Sequence, residues 1–399
     1  MPTKTNVIKN GQQYYRVYLE LGRDSEGNRK RKEFYGRSKK DAEAKLEKYK
    51  NGLHLGLSTD YDTLTIGKTC KLWLFEKVKN SVKPSTFERY EAVYRLYIKP
   101  SPLYSVKLKD LKSLIIQQYY NSLIKNGKTP NVVYNLNKLL KMFLNYCVAE
   151  GFIVKNYCSP KSISIPMENK NSDDSIKVFT VEEQNKFIEA VGGHRLKALF
   201  LLDLGTGLRI GELIALTWND IDLVNYTLSV NKAIKGTSIF EGDNKKYHLI
   251  EQTPKTKSSY RTIPFPRSLV PILEQYKEKK ESEKEKFGND YIKNEYVFCT
   301  PIGSVIDPNN LRGMYRRILK KAKIDYKKFH SLRHTYATRL FEAGVPLKTV
   351  QTLLGHNDIS ITANIYTHVM PEEKVKAIDK INSIFDNSNE NSGGKKEGK

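Results

Sequence analysis

Residues 327–336 read KKFHSLRHTY, and the reading of this stretch decides what the chain is built to do. His330, Arg333 and His334 stand three and four positions apart, which makes them neighbours on one face of an α-helix. Over the longer run FHSLRHTYATRLFEAGV (329–345), Phe329, Leu332, Tyr336 and Leu340 supply apolar positions at helical spacing. The stretch therefore predicts a helix that presents a guanidinium fork beside imidazoles. Such a fork matches two phosphate oxygens at once. A solvated basic helix face gives the same local pattern, so the stretch has to be weighed against the rest of the chain.

Working outward, the charge agrees with a phosphate partner. The chain has 68 Lys and Arg against 44 Asp and Glu, a formal net charge of +24. That excess favours a polyanion, most simply nucleic acid. The 399 residues suffice for two or three domains, each able to bury its own core. Cys70, Cys147, Cys158 and Cys299 form no C-x-x-C pair and no zinc spacing, so they read as reduced core thiols. No apolar run nears the roughly 18 residues of a membrane span. The start, MPTKTNVIKN, lacks the apolar stretch of a secretion signal. A soluble cytoplasmic protein with no membrane contact is expected.

The elements read as follows. A short strand near 7–9, then QQYYRVYLEL, the turn cluster GRDSEGN and RKRKEFYG predict a small three-stranded sheet. SKKDAEAKLEKYKNGL follows as a helix with Ser38 at its N-cap. Residues 29–40 carry seven basic side chains and one acid. Arg29, Lys30, Arg31, Lys32 and Arg37 stand among Tyr14, Tyr15, Tyr18, Phe34 and Tyr35. A basic aromatic ribbon can enter a major groove, while the rival reading is an edge strand blunted by charge. Residues 65–160 read as helical, with Leu136, Leu139, Leu140, Phe143, Leu144 and Cys147 on one face before Gly151. In KPSTFERYEAVYRLYIKP, with Ser85 as the expected cap, Lys83 and Arg89 are candidate DNA contacts. A half-buried amphipathic helix is the rival there. Periodicity is lost over SPKSISIPMENKNSDDSIK, and Thr180 with Glu183 then forms a capping box that opens new helices.

The expected architecture is a multidomain α+β chain. It comprises a small three-stranded sheet plus helix (1–60), a helical domain (65–160), a linker (161–177), a mostly helical domain with a small β-sheet (178–385) and a disordered tail (386–399). No nucleotide-binding loop is present, so no ATP use is expected, and no metal or other cofactor.

Three more segments complete the pattern begun at 327–336. LDLGTGLRIGELIALTWNDID (202–222) places Arg209 at a helix start after two glycines, with Glu212 one turn on. EQTPKTKSSYRTIPFP (251–266) reads as a β-hairpin carrying Lys255 and Lys257. VQTLLGHNDISITANIYTH (350–368) places His356 after a Leu-Leu-Gly stop and Tyr366 ten residues later. Arg, Lys, His-x-x-Arg, Gly-His and Tyr in this order resemble the tyrosine recombinases of the phage integrase family. The likeness is greatest to integrases of temperate phages and conjugative transposons with an N-terminal arm-binding domain.

The chemistry is coherent with that resemblance. A tyrosine hydroxyl attacks phosphorus and forms an ester that keeps the bond energy, so rejoining needs no ATP. Arginines remain cationic and relieve charge on the phosphorus. The resemblance implies Arg209 and Arg333 at the scissile phosphate and Lys255 as general acid, with Lys257 as its rival and a candidate DNA contact. It also implies His330 and His356 beside the phosphate, Tyr366 as nucleophile and Glu212 as a buried orienting acid. His334 reads as structural, and Tyr336 and Tyr260 as core residues.

As partners, the resemblance implies double-stranded DNA at core and arm sites, a homotetramer on DNA, and an excisionase or DNA-bending accessory protein. Val375, Ile378, Ile381 and Ile384 in a trailing helix would then dock on a neighbouring protomer. The place of action would be the bacterial nucleoid. Two rivals stay open at the level of sequence: a type IB topoisomerase that relaxes DNA, and a DNA-binding regulator without chemistry.

Overall fold

The computed structural model describes residues 7–23, 29–54, 63–166, 177–242, 244–253 and 260–369. The chain divides into two compact units, Met1–Asn169 and Lys170–Lys399.

In the first unit, β1 (Val7–Lys9), β2 (Gln12–Arg23) and β3 (Arg29–Gly36) pair antiparallel in the order β1-β2-β3. Asn10 and Gly11, both at positive φ, make the two-residue turn that matches strand twist between β1 and β2. Helix α1 (Lys39–His54) begins at Ser38, whose hydroxyl accepts from the Asp41 amide at 3.1 Å. It covers one sheet face, with Phe34 tilted on Tyr49 and the Lys32 ammonium over the Tyr49 ring. The chain passes so close at Gly36 that a Cβ would lie 2.3 Å from the Ala42 amide nitrogen.

The helical segment follows as α2 (Ile66–Leu72), α3 (Pro84–Val93), α4 (Ser113–Lys125) and α5 (Pro130–Ala149). Both α2 and α3 run on through a π-helical turn, Trp73–Val78 and Tyr94–Ile98. The expected face of α5 is buried along its length. Helix α3 starts two residues earlier than expected. Pro84 takes the first helical position, where its missing N–H costs nothing, and Lys83 is the N-cap in place of Ser85. Tyr90 and Tyr94 are core residues, so this helix is amphipathic.

In the second unit, α6 (Val181–Ala190) opens with the expected capping box. Helices α7 (Lys197–Thr206) and α8 (Ile210–Leu213) lead into β4 (Ile221–Asp222), β5 (Thr227–Val230), β6 (Ala233–Glu241), β7 (Asn244–Gln252) and β8 (Arg261–Pro264). The strands form two sheets, β4-β5-β8 and the β6-β7 ribbon. The hairpin expected at 251–266 is therefore displaced. Strand β7 pairs with β6, and β8 pairs with β5 in the other sheet.

Then come α9 (Val270–Phe287), α10 (Pro308–Lys321), α11 (Ser331–Glu342), α12 (Leu347–Leu354) and α13 (Ile359–Val369). One core joins α6, α7, α10 and the small sheet through Phe187, Phe200, Ile263, Tyr315 and Leu332. A second cluster, including Phe341, Val350, Leu354 and Ile365, holds α11, α12 and α13 together. Helix α11 is pinned from outside its own segment. The Phe179 amide donates to Thr335 at 3.0 Å, and Arg339 donates to the Phe179 carbonyl and to Gln184. All four cysteines are free and buried. Among the described residues, no helix is long and apolar enough to cross a membrane.

Candidate active site

The site is built where α7 ends, α8 begins and α12 ends. Gly207 and Gly355 both take the left-handed conformation at helix C-termini, and each turns its carbonyl toward an arginine. Arg333, 1% exposed on α11, donates through Nη1 to the Gly207 carbonyl at 2.7 Å and through Nη2 to the Leu354 carbonyl. Arg209, the N-cap of α8, donates through Nη2 to the Gly355 carbonyl at 3.2 Å. Arg261, at the start of β8, donates through Nε to the Leu353 carbonyl at 2.9 Å. Three successive carbonyls at the end of α12 thus accept from three arginines of three separate segments. The negative end of the helix dipole favours such a gathering.

Glu212 ties two of these cations together. It accepts from Arg209 Nη1 at 2.7 Å, from the Arg209 amide at 3.0 Å and from Arg261 Nη2 at 2.8 Å. Burial alone would raise its carboxyl. The Arg261 hydrogen bond and the Arg261 and Arg209 charges outweigh burial and hold it down at about 2. Among the described residues, no carboxylate is in hydrogen-bond contact with Arg333. Burial and the nearby Arg209 charge lower its pKa to about 9, so it is still cationic at neutral pH.

The histidines crowd the same end. His356, next after Gly355, shares a hydrogen bond of 2.9 Å between Nδ1 and the Thr362 hydroxyl. Burial and the charges of Arg333 and Arg209 lower it to about 3. His330 lies just before α11 with its ring edge-on to His334, centroids 4.7 Å apart. The His330 side chain reaches solvent but is packed among protein atoms. That packing, with His334, Arg333 and Arg209, lowers it to about 4. His334 is pushed to about 4 by burial and the Arg333 charge. All three imidazoles beside the arginines are therefore neutral at pH 7. Tyr366, 40% exposed on α13, stacks edge-on against Phe341 of α11 at 5.1 Å. Its helix thus packs against the two helices that carry Arg333 and the α12 terminus.

This constellation lies within a region that matches the phage integrase family, residues 177–373, and residues 65–124 match the phage integrase N-terminal SAM-like domain. A protein of Caldanaerobacter subterraneus subsp. tengcongensis described as tyrosine recombinase XerC-like is 50% identical over 390 residues, 96% of this chain and 100% of that protein. The chain belongs to the phage integrase family. It is a tyrosine-type site-specific recombinase, an enzyme that breaks and rejoins DNA strands, and the topoisomerase and regulator readings are set aside.

Other members of the phage integrase family are more distant. The ICEBs1 integrase of Bacillus subtilis is 24% identical, over 76% of this chain and 79% of that one. The integrase of Staphylococcus phage L54a is 26% identical, over 81% of this chain and 94% of that one. Among solved structures, the Tn1549 transposon integrase in complex with a circular intermediate DNA has a TM-score of 0.61 at 20% identity, covering 78% of this chain and 99% of that one. A lambda integrase tetramer bound to a Holliday junction has a TM-score of 0.55 at 21% identity, covering 91% and 95%. At these identities the likeness is one of fold.

In this integrase family member, Arg209, Glu212, Arg333 and His356 come together, His330 lies beside them, and Tyr366 sits on the next packed helix. Lys255 and Lys257 lie outside the described residues, as do the tail and the trailing helix with Val375, Ile378, Ile381 and Ile384. Tyr336 is buried as expected. Tyr260, expected in the core, is 49% exposed, because it precedes β8 and Arg261 takes the inward position after it.

The basic ribbon is divided. Arg31 lies over the Tyr18 ring on the sheet face away from α1, the face that also carries Arg16, Tyr14 and Tyr35, whereas Lys32 faces α1. Arg29 and Arg37 are exposed, and the Lys30 side chain is outside the described ones. Lys83 is half-buried at the α3 cap, and Arg89 is exposed over the Tyr90 ring. The residue that sequence reasoning passed over is Arg261. Its signal was the two-residue period that puts it on the face of Ile263, which is fully buried.

Proposed function

We propose that this integrase cleaves DNA by attack of the Tyr366 hydroxyl on a backbone phosphate, forming a 3′-phosphotyrosine and freeing a 5′ hydroxyl. The same intermediate, attacked by a 5′ hydroxyl from another duplex, restores a phosphodiester and releases the tyrosine, so no energy source is consumed. Arg209 and Arg333 hold the non-bridging oxygens. Each such preorganised donor contributes about 3 kcal/mol to the transition state. Lys255 protonates the leaving oxygen, and Lys257 contacts DNA nearby. His330 and His356, neutral in the free enzyme, donate hydrogen bonds to the phosphate or carry a proton. Glu212 keeps Arg209 aimed.

The single observation that supports this reading is the convergence of Arg209, Arg333 and His356 on the end of α12, with Tyr366 on the helix packed beside it. Among the described residues no carboxylate is hydrogen-bonded to Arg333, which suits an anion supplied by substrate.

The domains divide the work. Residues 65–160 and 178–385, joined by the linker 161–177, grip the core site through residues including Lys83 and Arg89. Residues 1–60 bind arm sites through the ribbon bearing Arg29, Lys30, Arg31, Lys32 and Arg37. Four protomers act on two duplexes, the trailing helix docking in trans, and an excisionase or bending protein sets direction. The reaction integrates and excises a mobile element, on the nucleoid in the bacterial cytoplasm. The solved relatives bound to DNA, one of them a tetramer on a Holliday junction, favour this reading.

The test is a suicide substrate that carries the element's own end. Tyr366→Phe should give no covalent adduct while duplex affinity stays within about twofold, because a single exposed hydroxyl adds little to a phosphate-dominated interface. A persisting adduct would show the nucleophile to be another residue.

A further inference from the structure

We infer that Arg261 is a positioning residue for strand cleavage, fixing Glu212 and through it the phosphate-binding Arg209. The inference rests on the reading of Arg209 as a phosphate ligand and extends it to a residue outside the motif. Arg261 has a side chain only 5% exposed, and its guanidinium meets both oxygens of Glu212, at 2.8 and 3.3 Å. The same carboxylate accepts from Arg209 at two points. Arg209 itself is more open, with 39% of its side chain exposed. The chain of contacts thus runs from a fixed buried cation, through a saturated carboxylate, to a cation that faces outward. An exposed arginine held by one mobile acid would wander among rotamers. Held by an acid clamped from behind, it keeps one aim, and a misplacement of about 1 Å can cost on the order of 100-fold in rate.

Two further features fit this role. Arg261 Nε also holds the Leu353 carbonyl, so the same residue fixes the α12 end against which Arg209 rests. Gly355 leaves room for it: at φ +64°, a Cβ there would lie 3.0 Å from Arg261 Cδ and 3.2 Å from Nε. Arg261 is also the first residue of β8, directly after the segment that carries Lys255 and Lys257.

The experiment measures single-turnover cleavage of a suicide substrate at saturating full-length protein for Arg261→Gln, Arg261→Lys, Glu212→Gln, the Arg261→Gln/Glu212→Gln double variant and Arg209→Gln. Expected are losses of about 100-fold for Arg261→Gln and for Glu212→Gln, with DNA affinity within about twofold. The double variant should be no slower than the slower single one, because both act along one path. Arg261→Lys should recover part of the rate, and the acid limb of the rate profile for Arg261→Gln should rise by about 2 pH units as Glu212 loses its main counter-charge.

A folded Arg261→Gln with native rate and native pH profile would overturn the inference. So would losses that multiply in the double variant. Should Arg261→Gln fail to fold, the double variant removes both members of the Arg261–Glu212 pair, leaves neither buried without the other, and decides instead. Cleavage equal to that of Glu212→Gln supports the inference, and markedly slower cleavage overturns it. Native cleavage by Arg209→Gln would sink the phosphate-site reading itself, a separate outcome.

Discussion

Replacing Glu212 with glutamine tests whether the carboxylate at the centre of the site is as deeply stabilised as its contacts imply. The side chain is 8% exposed and accepts from two guanidiniums and a backbone amide. Its carboxyl lies at about 2 against an ordinary 4.5. That difference corresponds to roughly 3 kcal/mol of native-state stability at neutral pH. A depressed carboxyl stabilises above its unfolded pKa and loses that stability as pH falls through its folded one. The contribution is thus complete above about pH 5, near 2 kcal/mol at about pH 3.5, and gone below about 2.

Removing one partner of a buried ion pair typically costs about 3–5 kcal/mol, and glutamine keeps some hydrogen bonds, so the low end applies. The chain has two tryptophans, Trp73 in the first unit and Trp218 in the second. A Trp73→Phe background therefore lets Trp218 fluorescence report urea unfolding of the second unit alone. The expected result is a loss of about 3 kcal/mol at pH 7 that narrows toward about 2 at pH 3.5. A loss under about 0.5 kcal/mol at pH 7, in the range of ordinary surface substitutions, would refute the reasoning, as would a gap that stays constant with pH.

Other outcomes follow from the same geometry. Gly207→Ala should destabilise by about 2 kcal/mol and slow cleavage, since φ is +60° and a Cβ would sit 2.5 Å from Tyr336 while the Gly207 carbonyl holds Arg333; urea unfolding and suicide-substrate kinetics measure both. Arg333→Lys should keep a charge but lose the two-carbonyl fork, with cleavage down by about 100-fold or more in single-turnover assays. Because His330 at about 4 and His356 at about 3 are neutral in the free enzyme, an arriving phosphate should raise both. Core-site DNA binding should then take up protons and tighten as pH falls from 7 to 5. Calorimetry in buffers of different ionisation heat reads the uptake, and His330→Gln or His356→Gln should reduce it.

The site was legible in sequence where one residue type at one spacing has few structural uses. His330, Arg333 and His334 announce a helix face, and a Gly-His step announces a helix stop with a ring beyond it. The α5 face and the Thr180–Glu183 cap were legible for the same reason: local periodicity and capping leave marks within a few residues. Pairing between strands leaves no such mark. Residues 251–266 read as one hairpin, yet their two ends belong to strands that pair elsewhere, β7 with β6 and β8 with β5. Arg261 was hidden by the same ignorance. Its inward direction follows from Ile263, but the carboxylate it meets lies 49 residues away in sequence, and only the fold brings them together.

The charge arrangement carries its own argument about why this site is stable empty and better filled. Arg333 is buried, its hydrogen-bond partners among the described residues are carbonyls only, and burial with the Arg209 charge lowers its pKa to about 9. A buried guanidinium paired only with dipoles is costly relative to one paired with an anion. Asp203 on α7 makes no hydrogen bond to Arg333: neither of its carboxyl oxygens has a partner among the described residues. It is 1% exposed, and burial raises its carboxyl well above the usual range despite the Arg333 charge, which favours its neutral form. The α12 terminus supplies partial negative charge enough to keep three arginines in place, and Glu212 neutralises only the pair it touches. Net positive charge is left on the Arg333 side. A DNA phosphate entering there gains the attraction that the fold withholds from its own carboxylates, and the doubly charged phosphorane of the reaction gains more of it than the singly charged ground state. If Asp203→Asn left cleavage unchanged, the protonated state would be supported. A drop of about 100-fold would instead mean that Asp203 is ionised and part of the charge balance at Arg333.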